Sequence, residues 1–294
     1  MDTERLSWLP PQGLGEPIVF TPEGAGGYAL RRFRPSGNQA SALGVKGARQ
    51  MGETFSSAQV SPSVHVAQVY VLGASHEEHA ALRAKLVKAL SVDTLRAGGA
   101  ALGTLRLERP GLPTLQTKAL PQASPSWASR LAGNSIADLE FWAPSPLWSA
   151  LEARSEDFSS SGGVGYPLDY PLDYEEVALR ADVENLGDVS VGVLFRVFGA
   201  IENPVMELEA TGERIVISGT VGAGEVLEVD TTFGGKSATL IASDGTRTNG
   251  FGMIDLEEST FWRLPSGTSP VRLGFDTEDG GSVKMAWREQ YGGV

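Results

Sequence analysis

Residues 190–218 read SVGVLFRVFGAIENPVMELEATGERIVIS and set the pattern for the second half of the chain. The β-branched and aromatic run over 190–198 predicts a strand, and 205–210 with 214–218 predicts a hairpin. Further short apolar runs, separated by Gly-rich turns, continue to the end of the chain at intervals of about 8–12 residues. Such spacing is typical of an antiparallel β-sandwich, which we predict for residues 176–294.

The first half of the chain predicts a second β domain that carries one helix. Residues 64–72 form a β-branched and aromatic run, which is the clearest strand of this half. A helix is predicted over 75–90, because Ser75 and Glu78 have the spacing of a capping box. The apolar residues at helical spacing, which we expect to form its buried face, are Ala81, Leu82, Leu86, Val87 and Leu90. We therefore predict a sandwich-like or barrel-like β domain over residues 1–149, with the helix covering one face of a sheet.

Two further segments differ in composition from these domains. Residues 35–63 are polar and rich in Gly, Ser and Gln, which predicts either a functional arm or a pair of edge strands. Residues 150–175 are predicted to be an extended connector, because they combine a Ser/Gly-rich stretch with X-Pro steps. Within it, the tandem repeat YPLDYPLD at 166–173 favours an extended strap along a surface over a peptide-recognition motif.

The composition excludes several classes of protein. The 294 residues include no Cys, which removes disulfides, thiol nucleophiles and thiolate metal sites. No apolar run reaches the ~18 residues that a membrane-spanning helix needs, so we expect no membrane insertion. The N-terminal residues lack the apolar core of a secretory signal, and we expect no secretory targeting.

Charge divides the chain near its midpoint. Residues 1–150 carry 14 Lys/Arg and 11 Asp/Glu, whereas residues 151–294 carry 10 Lys/Arg and 25 Asp/Glu. The acidic half would repel phosphate backbones, and the basic residues of the first half cluster at Arg31, Arg32 and Arg34 alone. Because nucleic-acid affinity grows with the number of clustered phosphate contacts, we expect no stable nucleic-acid binding.

Candidate residues for chemistry are few. His76 and His79 lie three residues apart on the predicted helix, but no third metal ligand is near them in sequence. Neither a Gly-x-Ser-x-Gly nucleophile elbow nor a phosphate-binding Gly-rich loop occurs. The acidic runs at 257–258 and 276–279 are typical of surface turns. We therefore predict no catalytic residue, no cofactor and no metal.

The order of these signals resembles the distal tail protein family of long-tailed, non-contractile bacteriophages. The sequence NLGD at 185–188 is similar to the family's Asn-x-Gly turn, and FGAIENP at 198–204 is similar to its Gly-x-x-x-x-Pro segment. The series continues with TGE at 211–213, GEVLEVDT at 224–231, FWRLPSG at 261–267 and WREQY at 287–291. The first half is similar mainly in order and spacing, through GAS at 73–75, FWAPSPLW at 141–148 and GVGYPL at 163–168.

The resemblance implies a structural protein of the tail tip. Six copies would form a ring built by the N-terminal domains, with galectin-like C-terminal sandwiches on its outside. The ring would join the tail tube protein to the tail-tip hub protein, and the tape-measure protein and DNA would pass through it. The implied location is the distal end of the virion tail, after assembly in the host cytoplasm, and no catalysis is implied. Arg31, Arg32 and Arg34 are then expected to be paired or to face a partner instead of the lumen.

Two other functions remain open from the residues alone. The first is a carbohydrate- or host-receptor-binding tail module, although the second half contains no His for a galectin-type sugar site. The second is a glycoside hydrolase, which needs two carboxylates about 5–10 Å apart in a cleft. The large aromatic residues are expected to be core or interface anchors instead of sugar platforms; they are Trp142, Trp148, Phe261, Trp262 and Trp287.

Overall fold

The computed structural model describes residues 4–11, 15–37, 40–90, 102–131, 134–159, 179–276 and 281–293. The chain forms two compact units, one from Met1–Leu151 with Tyr291–Val294 and the other from Glu152–Gln290. Both consist mainly of antiparallel strands, and the first contains an α-helix. The predicted fold class, all-β with one long helix, is confirmed. No helix in the described parts of the chain has the length and apolar character needed to cross a membrane.

The first unit is organised around one curved antiparallel sheet. In chain order, its strands are β1 (Arg5–Leu9), β2 (Ile18–Phe20), β3 (Tyr28–Arg34), β4 (Ala40–Val45), β5 (Thr54–Val60), β6 (Ser63–Leu72), β7 (Gly103–Glu108), β8 (Leu115–Pro121), β9 (Ser126–Leu131), β10 (Asn134–Ala143) and β11 (Trp148–Ala150). A single-turn 3-10 helix at Ala25–Gly27 precedes β3. The main path through the sheet runs β2-β1-β7-β8-β10-β6-β3, with β9 on β10 and β11 on β8.

The sheet curls until its two ends meet. β2 and β3 end the path on opposite sides, yet Thr21, directly after β2, bridges to Ala29 of β3. The Leu30 N–H also donates to the Thr21 carbonyl at 2.9 Å. Trp8 of β1 and Phe141 of β10 are separated by two strands in the path, but their ring centroids lie 5.1 Å apart. The unit is therefore barrel-like, as predicted.

The α-helix of the first unit, α1 (His76–Ala89), begins where the capping box predicts. The Ser75 hydroxyl accepts a hydrogen bond from the Glu78 N–H at 3.1 Å. The Glu78 carboxylate in turn accepts from the Ala74 N–H at 2.7 Å. Together these contacts satisfy donors that the first helical turn would otherwise leave unpaired.

The buried face of α1 differs from the predicted one. Leu86 and Leu90 are buried against the barrel, as expected. Ala81 and Val87, expected on the same face, are exposed, and His79 takes their place. Positions 79, 86 and 90 are seven and four residues apart, so they share one side of a helix. The prediction was wrong here because it followed apolar residues alone.

The second unit is a two-sheet antiparallel sandwich. Its strands are β12 (Arg154–Ser159), β13 (Leu179–Asn185), β14 (Val193–Phe198), β15 (Ile201–Glu202), β16 (Val205–Leu208), β17 (Glu213–Val216), β18 (Thr220–Val221), β19 (Val226–Asp230), β20 (Ser237–Ile241), β21 (Arg247–Asn249), β22 (Gly267–Gly274) and β23 (Ser282–Trp287). A 3-10 turn at Phe251–Met253 follows β21, and β24 (Gln290–Tyr291) follows β23. One sheet runs β12-β23-β14-β19-β20-β21 and the other β13-β22-β16-β17, with a shared apolar core. The predicted C-terminal sandwich is confirmed.

One buried amide connects three segments at an end of this sandwich. Asn185 is 0% exposed. Its Nδ2 donates to the carbonyls of Val189 at 3.0 Å, Leu264 at 3.2 Å and Pro265 at 3.1 Å. Its Oδ1 accepts from the Gly187 N–H at 3.0 Å. The side chain therefore replaces backbone pairing where the strands end.

The predicted connector at 150–175 is wrong at its beginning. Arg154–Ser159 forms β12, and each of its residues pairs with β23. Phe158 is buried in the sandwich core. The charged and serine residues that suggested a linker are typical of an edge strand, where one side of the backbone faces water. The YPLD repeat at 166–173 lies outside the described residues.

Candidate assembly surface

The segment between β3 and β6 forms a hairpin of its own. β4 and β5 pair with each other from Ala40↔Val60 to Val45↔Thr54, as a separate two-stranded sheet. Every residue of both strands is exposed. An isolated two-stranded hairpin is marginally stable in water, because it has no second layer against which to bury side chains. We call residues 40–60 the arm; of the alternatives predicted for 35–63, the structure shows the pair of strands, and a functional arm stays a prediction.

The two paired strands of the arm have one face of apolar residues, and the Glu53 side chain of the turn lies beside its Gly44 end. Residues opposite each other in an antiparallel pair project to the same side, and successive residues alternate. The pairing, which includes a bulge between Leu43 and Gly44, places on one face Ala40, Ala42, Gly44, Phe55, Ala58 and Val60. Phe55 is 68% exposed and Val60 is 58% exposed. The sequence analysis missed this face, because Ala and Gly at every second position of ASALGV, residues 40–45, give little hydrophobic signal.

The basic cluster lies on β3, next to the start of the arm. The guanidinium carbon of Arg31 is 5.6 Å from the centre of the Tyr70 ring, which is a cation–π contact. Arg32 and Arg34 border a shallow groove whose lining includes Asp138. Arg31 thus has a partner within the chain, and whether the other two face a neighbouring subunit stays a prediction.

His76 and His79 do not form a pair of metal ligands. His76 is exposed, whereas His79 is 6% exposed and its Nε2 lies 3.0 Å from the Ser135 hydroxyl. Burial lowers the pKa of His79, and the positive charges of Arg83 and His76 act in the same direction. His79 is therefore a neutral core residue that is held by a serine.

The acidic runs serve local structure where they are described. Glu258 forms an ion pair with Arg214 at 2.6 Å, and Asp276 accepts from the Asn203 amide at 2.7 Å. Asp279 lies outside the described residues. Within the described ranges, no three His, Cys, Asp or Glu side chains converge as a metal-binding group.

The large aromatic residues lie mostly in the two cores. Trp148, Trp262 and Trp287 are buried, while Trp142 and Phe261 are half-buried. The Trp262 indole N–H donates to the backbone carbonyl of Met206 at 3.1 Å, so its polar atom is also satisfied inside the sandwich. Both tryptophans of the second unit thus serve as core anchors, which leaves neither as a stacking platform for sugars.

Comparison with protein-family models gives a match over residues 187–291. The family is described as siphovirus-type tail component, C-terminal domain. These residues include most of the two-sheet sandwich and most of the second-half segments on which the resemblance in sequence rests. A comparison with curated protein sequences finds no match.

Solved structures share the fold over almost the whole chain. The SPP1 phage Dit protein (gp 19.1) superposes with a TM-score of 0.55 at 11% identity, covering 98% of each chain; its crystal structure is described as a paradigm of the hub adsorption apparatus in phages that infect Gram-positive bacteria. A chain of the phage P2 baseplate, in its activated conformation with Ca, superposes with a TM-score of 0.52 at 12% identity and covers 100% of each chain.

The family match supports a siphovirus-type tail component, and the solved structures show the shared fold. The structural likeness extends over both units, and the family match covers the second unit independently. The resemblance to siphophage distal tail proteins, which the sequence predicts, is therefore confirmed, and residues 187–291 match the tail-component C-terminal domain directly.

Proposed function

We propose that six copies of this chain close into a ring at the distal end of a phage tail. The ring joins the tail tube protein to the tail-tip hub, and the tape-measure protein and DNA pass through its lumen. The protein acts by assembly, without catalysis, and it is a virion component that is put together in the host cytoplasm. The observation that carries this proposal is the arm, whose apolar residues are exposed in the described part of the chain.

The arm has the properties of a clasp between identical subunits. A ring needs a heterologous interface, in which one surface of a subunit meets a different surface of the next. The barrel joins the two ends of its strand path through Thr21 and Ala29, whereas the outer edges of β4 and β5 have no pairing partner among the described residues. Its small residues allow close approach of a neighbouring backbone, and Phe55 and Val60 supply apolar area to bury.

Charge supports passage of DNA without retention. Over residues 151–294 the excess of Asp/Glu over Lys/Arg is 25 to 10, which repels phosphate. Over residues 1–150 the two kinds of charge nearly balance, at 14 Lys/Arg against 11 Asp/Glu. A lumen built by this unit would therefore offer few unpaired cations on which DNA could stick.

A carbohydrate-binding role for the second unit is not part of the proposal. Sugar sites in sandwiches of this kind need an exposed aromatic platform beside polar groups, and Trp262 and Trp287 are both buried. The three His of the chain all lie in residues 65–79 of the first unit.

Substitution on the two faces of the arm tests the proposal. Phe55→Ser removes the largest side chain of the apolar face, and Leu43→Ser is the matched control on the opposite face, where the residue is 43% exposed. Loss of a Phe side chain from an interface costs roughly 1.5–3 kcal/mol, or at least about tenfold in affinity for each contact between subunits. The mass of the full chain is measured by mass photometry, with and without tube protein.

The proposal predicts a wild-type species at six times the 31.1 kDa of one chain. It predicts that Phe55→Ser shifts the population to monomer and that Leu43→Ser leaves the ring in place. Equal masses for the two variants would contradict the proposal. A wild-type chain that stays monomeric even when tube protein is present would also contradict it.

A further inference from the structure

The pairing of β3 with β6 stops at the base of the arm. The last pair is Arg34↔Val66, and the next residue, Pro35, has no N–H to donate. The following N–H, that of Ser36, donates instead to the Nδ1 of His65 at 3.1 Å. A side chain thus takes over from the backbone at the point where the chain leaves the barrel.

The same imidazole contacts the strand that returns from the arm. Because Nδ1 accepts a hydrogen bond, the ring proton of neutral His65 is on Nε2. Nε2 lies 3.2 Å from the hydroxyl of Ser63 and donates to it. Ser36 precedes the arm and Ser63 follows it, so one ring joins the outgoing and returning ends of the hairpin.

The surroundings of His65 hold this ring in one orientation. The side chain is 0% exposed, and its ring centroid lies 5.0 Å from that of Trp148 and 6.3 Å from that of Phe33. Burial lowers the pKa of His65 to about 4, so the imidazole is neutral at physiological pH and Nδ1 keeps its lone pair. The acceptor for Ser36 is therefore always present under assembly conditions.

We infer that His65 is the positioning residue of the arm: it ties the outgoing end of the hairpin to β6, the barrel strand that returns from the arm, and fixes the direction in which the hairpin leaves the barrel. Its importance for assembly rests on the proposed function, because a clasp that swings freely meets its neighbour less often in the right orientation. Because His65 already restricts the arm, less conformational freedom is lost when the arm binds the neighbouring subunit.

Hydrogen exchange on the full-length chain, at a concentration low enough to keep wild type and variants monomeric, tests the tie directly. His65→Phe keeps an aromatic ring between its neighbours but removes both polar contacts, whereas His65→Asn keeps an acceptor near the position of Nδ1. Ser63→Ala removes one contact, and Ser135→Ala is its matched control, because it removes the serine bonded to His79. Exchange of the Ser36 amide is followed by mass spectrometry, and ring mass is measured separately.

His65→Phe is expected to speed exchange of the Ser36 amide by about fivefold or more, the factor for one lost hydrogen bond. His65→Asn is expected to restore at least half of the protection. Ser63→Ala is expected to loosen the base of the arm and Ser135→Ala to leave it unchanged. Unchanged exchange at Ser36 in His65→Phe would overturn the inference, as would equal effects of Phe and Asn.

The ring measurement separates this inference from the proposed function. His65→Phe is expected to lower the fraction of ring by about fivefold or more, while α1 stays protected from exchange. If wild type and His65→Phe form the ring equally well, although the Ser36 amide exchanges faster in the variant, the positioning role alone would be overturned. A wild-type chain that forms no ring would instead refute the proposed function, whatever the exchange at Ser36 shows.

Discussion

Replacement of Asn185 by Ala is expected to destabilise the second unit strongly. The change removes one buried acceptor and two buried donor hydrogens that serve four backbone groups, at distances of 3.0–3.2 Å. The Gly187 N–H would be left without its partner inside the protein. One orphaned buried group costs about 1–3 kcal/mol, and two further lost hydrogen bonds cost about 1 kcal/mol each. We therefore expect a loss of about 3–5 kcal/mol in the free energy of unfolding.

Urea denaturation of the full chain, followed by tryptophan fluorescence and circular dichroism, measures this loss. Asn249→Ala is the matched control: its side chain is exposed and accepts one hydrogen bond, from the Phe251 N–H at 3.0 Å. The control is expected to lose less than about 1 kcal/mol. A loss below about 1 kcal/mol for Asn185→Ala, or equal losses for the two variants, would refute the reasoning that this amide replaces backbone pairing.

Two further predictions concern the first unit. His65 has a pKa of about 4 when folded against an ordinary value of 6.5, so its contribution to stability is fully present above pH 6.5 and is lost as pH falls through about 4. The loss totals about 3 kcal/mol, and urea titrations between pH 7 and 4 should show a shallower decline for His65→Phe than for wild type. On α1, Leu86→Ala is expected to cost about 2–5 kcal/mol in the same assay, because Leu86 is 0% exposed. Val87, at the next position, is 38% exposed, so Val87→Ala should cost less than about 1 kcal/mol. Similar losses at both positions would show that the buried face of the helix has been assigned wrongly.

The sequence predicts best where burial and local pattern agree. The strands of residues 190–218 alternate between core and solvent, so a period of two identifies them. The capping box at Ser75 and Glu78 is a contact between near neighbours in the chain, and the pattern alone locates the start of α1.

The features that escaped prediction depend on contacts between distant residues. His79 of α1 can be buried because the hydroxyl of Ser135, on β10, forms a hydrogen bond with its ring. Arg154–Ser159 looks like a linker until β23 supplies its pairing partner. Asn185 belongs to a pattern typical of exposed turns, yet it is buried by carbonyls from a loop near Leu264.

The assembly surface was only partly predictable for a different reason. Ala and Gly contribute little to any hydrophobic signal, so the apolar face of the arm becomes visible only when the register of β4 on β5 is known. The contact of Ser36 with His65 likewise depends on where β3 stops pairing with β6. Register is set by the whole sheet and not by the local residues.

Electron cryo-microscopy of the intact tail tip tests the central claim most directly. The account predicts six copies of this chain around the lumen, between the last ring of tube protein and the hub, with the apolar face of each arm covered by the neighbouring subunit. Density for the chain elsewhere in the particle, or a ring in which residues 40–60 of every subunit remain exposed to solvent, would contradict it.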